Sequence, residues 1–205
     1  MKSPRTFPPI CFQQPSPSPS PPSLDVTLDP DTAHPNLILS EDGKRVRHGD
    51  TRQNLPDTPN RFNEYVNVLG KEGFSSGRFY YEVQVEGKTA WALGVVTESL
   101  NRKGNISLKP KDGYWAVWMM NGNEYKALAD PSVLLPLREK PRTVGVYVDY
   151  EGGQISFYNV EARFHIYSFT GYTFTEKLYP LFSPSFHYNG KNSAPLIISS
   201  VSHTG

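Results

Sequence analysis

Arg142-Thr143-Val144-Gly145-Val146-Tyr147-Val148-Asp149-Tyr150-Glu151-Gly152-Gly153-Gln154-Ile155-Ser156-Phe157-Tyr158-Asn159-Val160 is the stretch that decides the fold. Val144, Val146 and Val148 alternate with Thr143, Gly145 and Tyr147. A repeat of two residues puts one apolar side against a core. Glu151-Gly152-Gly153 reverses the chain, because adjacent glycines take positive φ at little cost. Ile155 and Phe157 then resume the apolar side, so the stretch reads as a β-hairpin. It carries no pattern of catalytic residues, and a chain built this way is suited to holding a surface.

Working outward, the same alternation recurs. Phe79, Tyr81, Val83 and Val85 form one face of a strand, and Trp91, Leu93 and Val95 the inner face of the next. Gly113 to Met120 is followed by Asn121-Gly122, a strong two-residue hairpin signal. Strands are also expected over Leu24–Leu28, Leu37–Leu39, Lys44–Arg47, Tyr65–Leu69, Asn123–Leu128, Phe164–Phe169, Tyr179–Phe182 and Pro195–Ser199. Asp29-Pro30-Asp31-Thr32 is a turn that can open a short helix. Gly49 to Asn63 and the basic stretch Glu98 to Asp112 are loops. Short strands at this spacing, without helical periodicity, predict an all-β sandwich of two antiparallel sheets. Residues 1–23 form a Pro/Ser-rich tail or linker, holding eight of the nineteen prolines, and are expected to be disordered. Pro19-Ser20-Pro21-Pro22 has the spacing of a polyproline II ligand, a pattern common by chance.

Composition narrows the function. The 205 residues carry 21 Lys plus Arg against 20 Asp plus Glu, a net charge of +1. That balance gives no electrostatic case for nucleic acid or an anionic membrane. Cys11 is the sole cysteine, so neither an intrachain disulfide nor a cysteine zinc site is available. The five histidines lack i, i+4 pairing, and neither a metal site nor a cofactor is expected. No apolar run reaches the roughly 18 residues of a membrane span. With no signal-peptide core either, the chain reads as cytoplasmic. Gly73-Phe74-Ser75-Ser76-Gly77 matches G-x-S-x-G, but a strand follows where a nucleophile elbow needs a helix. Gly87-Lys88-Thr89 reads as a hairpin turn rather than the end of a phosphate loop, and no catalytic residue is assigned.

Three ordered stretches resemble the PRY–SPRY family. Leu28-Asp29-Pro30 is similar to the opening of its PRY part. Tyr80-Tyr81-Glu82-Val83 resembles the Trp-Glu-Val motif, with Tyr81 at the usual Trp. Val148-Asp149-Tyr150-Glu151 resembles Leu-Asp-Tyr-Glu, with Val for Leu. Phe182-Ser183-Pro184 and Ala194-Pro195-Leu196 add matches in order. The resemblance, strongest to the TRIM type, implies a bent jelly-roll sandwich with a PRY part over residues 24–76 and a SPRY part over 77–201. It implies a module that chooses a protein target for ubiquitination in innate defence. The RING of the ligase, and any oligomerisation, would belong to a parent protein, so the chain is not itself an enzyme.

The site implied by the resemblance comprises Ala92, Trp118, Met120 and Phe186. Strand alternation puts Tyr114 on the Trp118 face, and His187 adjoins Phe186 in sequence. An acidic residue often stands at the Ala92 position and a second Trp at that of Met120, so the location carries over better than the ligand. Tyr114, Trp118 and Met120 are expected either beneath the PRY segment or exposed to a partner. A second site is the basic loop with Arg102 and Lys103, which would receive a phosphorylated small molecule as in some butyrophilin domains.

Overall fold

The computed structural model describes residues 22–200. Thirteen strands run in chain order: β1 (Leu37–Leu39), β2 (Arg45–His48), β3 (Val68–Leu69), β4 (Arg78–Gln84), β5 (Trp91–Thr97), β6 (Tyr114–Met120), β7 (Glu124–Ala127), β8 (Val133–Leu135), β9 (Thr143–Asp149), β10 (Gln154–Asn159), β11 (Phe164–Phe169), β12 (Leu178–Ser183) and β13 (Leu196–Ile198). One sheet has seven strands in the order β1-β2-β13-β4-β9-β10-β11, the other six in the order β3-β12-β5-β6-β7-β8. Every strand pairing is antiparallel. The Pro/Ser tail up to residue 21, with its P-x-x-P spacing and Cys11, lies outside the described residues.

The deciding hairpin is β9–β10, with Val148 opposite Ile155 and Val146 opposite Phe157. Val144, Val146, Val148, Ile155 and Phe157 are all fully buried. They meet Trp91, Leu93, Val95, Trp115, Val117 and Met119 from the other sheet in the main core. Tyr81 is 2% exposed and donates its hydroxyl to the Gly94 carbonyl at 3.0 Å. A buried phenol needs such an acceptor.

Four expectations fail in detail. Leu24–Leu28 is not a strand: Ser23 bridges Tyr80 and Leu28 bridges Gly70, so the segment passes from one sheet to the other instead of running along either. Asp29–Thr32 opens no helix, because the Asp29 carboxylate accepts from the Asp31 amide and its carbonyl from the Thr32 hydroxyl, closing a local turn. A short 3-10 helix forms instead at Pro110–Asp112, inside the basic loop. Val133–Leu135 pairs with β7 as an edge strand, although Pro131 and Pro136 bracket it so closely that the sequence reads as loop.

Candidate functional site

Strand β6 carries the site. Its inward residues Trp115, Val117 and Met119 fill the core, and Tyr114, Ala116, Trp118 and Met120 point away from it. That outer face is divided. Tyr114 (2% exposed) and Ala116 (0%) are sealed by Phe62, Leu100 and Ile106 from the two long loops. Burial pushes the Tyr114 hydroxyl well above its ordinary pKa. Trp118 and Met120, one turn of the pleat further on, remain half-buried. Of the two alternatives, cover thus holds for Tyr114, while past its edge Trp118 and Met120 keep partial contact with water.

Beyond that edge lies a cavity of about 300 Å³. Ala92, Tyr114, Trp118, Met120 and Phe186 all line it, so the structure gathers five of the six residues that the sequence nominates. Tyr114 belongs to its closed end. Ala92 pairs directly with Trp118 across β5 and β6. The row continues from Trp118 to Lys126 on β7 and from Lys126 to Leu134 on β8. The Lys126 ammonium stands 5.8 Å from the Trp118 ring centre, a cation–π contact, and Leu134 is 64% exposed at the sheet edge.

The far wall is the loop between β12 and β13. Phe186 is 51% exposed. Its ring packs edge-on against His48 at 5.3 Å and Tyr188 at 6.1 Å. His187 does not line the cavity. It turns the other way, with Nε2 3.0 Å from the Asp50 carboxylate and its ring 5.0 Å from that of His48. Ser185, Tyr188 and Asn189 all adopt left-handed backbone conformations, a concentration of strain typical of recognition loops.

Asn192 holds this loop in place, a role sequence reasoning missed. It is 1% exposed. Its Oδ1 accepts from the Thr89 and Ala90 amides. Its Nδ2 donates to the carbonyls of Ala90, Pro184 and Phe186 at 2.9–3.0 Å. The loop is thereby tied to the start of β5 at the residue that carries the exposed phenyl ring. The only signal in the sequence is an Asn in a polar run, which is ordinary for a loop.

The second candidate site is occupied by the chain itself. Arg102 donates to the Asn60 carbonyl at 2.8 Å and lies over the Phe62 ring. Lys103 donates to the carbonyls of Thr58 and Arg61 and pairs with Asp57. The polar hollow beside Arg102 is lined by Asp29 and Glu98 as well as by Lys71, so its charges balance and it is not a basic pocket. These cations pin one long loop to the other. Among the described residues no group of three or more metal-ligating side chains occurs, and no helix is long and apolar enough to cross a membrane.

Comparison with known proteins places this geometry in a family. Residues 78–196 match the model of the SPRY domain and residues 26–74 that of the SPRY-associated domain. The chain is 57% identical over 176 residues to nuclear factor 7, brain, of Xenopus laevis, covering 85% of this chain and 29% of that protein. It is 49% identical over 183 residues to the E3 ubiquitin-protein ligase TRIM69 of Rattus norvegicus, covering 89% of this chain and 36% of that protein. It thus spans about a third of the length of these relatives. The crystal structure of the TRIM65 PSpry domain superposes with a TM-score of 0.73 at 21% identity, over 87% of this chain and 91% of that one, and so shares the fold. Two antiparallel sheets closed by an N-terminal segment, with both family models matched in order, show that the chain belongs to the PRY–SPRY family.

Proposed function

We propose that this chain is the target-recognition module of a larger, cytoplasmic protein, and that it grips a protein partner in the cavity formed by Ala92, Trp118, Met120 and Phe186. One observation carries the reading: the loops that seal Tyr114 and Ala116 leave Trp118, Met120 and Phe186 in contact with water. A Trp buries about 150–250 Å² in all, of which Trp118 has already buried part, so a partner gains the remainder, and binding hot spots favour Trp. Arg102 and Lys103, bound to carbonyls of their own chain, favour a protein target over a phosphorylated small ligand. The likeness to a relative named as an E3 ubiquitin-protein ligase supports a parent protein that ubiquitinates what this module selects; its placement in innate defence is part of the proposal.

Affinity capture from cell lysate, with wild type and Trp118→Ala at matched stability, tests the proposal. A subset of partners should bind the variant at least about thirtyfold more weakly, the scale of a hot-spot truncation. Identical partner lists at identical affinities would remove the cavity as the site.

A further inference from the structure

The cavity's own chemistry restricts what it accepts, given the reading of it as a partner site. Three observations combine. First, Asn67 is 2% exposed and lines the cavity, and its side-chain Nδ2 has no hydrogen-bond partner. Its backbone is already used, the amide donating to the Tyr65 carbonyl and the carbonyl accepting from the His34 amide. The Trp118 indole Nε1 is likewise buried without a partner. Both atoms lie just beneath the cavity surface, so a ligand's acceptor reaches them only when the Asn67 or Trp118 side chain turns toward it; a ligand that does so gains what the free protein forgoes.

Second, Glu64 is the sole charged residue among those lining the cavity. It is exposed at the mouth and makes no ion pair among the described residues. An anionic acceptor would bring a second negative charge beside it, and the cation next to the Trp118 ring, Lys126, already pairs with Glu124. The acceptor is therefore uncharged. Third, the walls between donors and mouth are the apolar faces of Tyr65, Trp118, Met120 and Phe186.

We infer that the cavity takes an exposed loop of a partner protein presenting three features side by side. A large apolar side chain packs between Trp118 and Phe186. A neighbouring backbone carbonyl accepts from Asn67 Nδ2 or Trp118 Nε1. An adjacent Lys or Arg reaches Glu64. The acid that selects the partner comes from the segment before β3, while Ala92 on β5 is neutral.

A phage-displayed library of random twelve-residue peptides, panned in parallel on wild type, Glu64→Lys, Asn67→Leu and Trp118→Ala, tests this. Wild type should enrich peptides with an aromatic or large aliphatic residue beside Lys or Arg. Synthetic copies should bind Glu64→Lys at least about fivefold more weakly, the upper range for one exposed pair. Panning on Glu64→Lys should reverse the selected charge to Asp or Glu. Asn67→Leu, of similar size, should weaken the wild-type peptides about tenfold. Its thermal midpoint separates lost binding from lost folding, and Glu64→Lys, on the surface, provides an independent readout. If the selected peptides need Trp118 but show no basic preference and no reversal with Glu64→Lys, this inference fails while the cavity stands as the partner site. If the enriched peptides are acidic, the inference fails in the same way. If no selected peptide depends on Trp118, both fail.

Discussion

Lys88, in the turn between β4 and β5, has no exposed surface, and its one acceptor is the Ala194 carbonyl at 2.8 Å. No carboxylate pairs with it among the described residues. Burial pulls its pKa from 10.5 down to about 8. Between those values the unfolded chain holds a proton that the folded chain has released, so stability rises with pH from about 8 toward 10. Tyr80, Tyr81 and Tyr114 act the other way above pH 10, because burial raises their pKa and only the unfolded chain ionises. The Lys88→Met variant keeps the volume and removes the charge. It should be more stable than wild type by about 2 kcal/mol at pH 7.5, with the gap closing by pH 10. Urea midpoints of both proteins across this range measure the effect. A constant gap would mean that Lys88 stays charged in the fold.

At the scale of the element, the β9–β10 hairpin depends on its turn. Gly153 has φ of +65°, and a Cβ there would run into the Tyr172 backbone carbonyl. Gly153→Ala should therefore cost about 2–3 kcal/mol by denaturant unfolding, and an unchanged midpoint would show that the turn adapts. This element was legible because its signals are local: alternating valines, two glycines, then the alternation again. The same local signals placed Tyr114, Trp118 and Met120 on one face, while Ala92 came with the family resemblance. Phe186 came from family resemblance, since nothing near it in sequence shows that its loop folds back onto β5 and β6. β8 was missed because three residues between prolines give too short a pattern. The jobs of Asn192 and Lys88 were also invisible. Each is defined by a partner about a hundred residues away in the chain, a distance no periodicity spans. His187 was misplaced for a simpler reason, since adjacent residues of an extended loop point in opposite directions.

At the scale of the molecule, the N-terminal strands are woven into both sheets. β2 pairs with β13, and β3 pairs with β12. Dividing the chain between residues 76 and 77 should leave two pieces with no cooperative unfolding transition alone, each with uncovered sheet edges. Expressed together, they should recover the transition. Independent folding of residues 77–200 would show that the seven-stranded sheet tolerates the loss of β1 and β2. The proposed recognition site depends on the same weave, because Tyr65 and Asn67 precede β3 while Phe186 follows β12, and both sides line one cavity.

Last in sequence among the thirteen strands, β13 does not lie at an edge but fills the slot between β2 and β4. During translation that slot stays vacant until Leu196–Ile198 has left the ribosome, long after β2 and β4. Until then the domain carries an open seam in its larger sheet, and in that interval it most needs a chaperone.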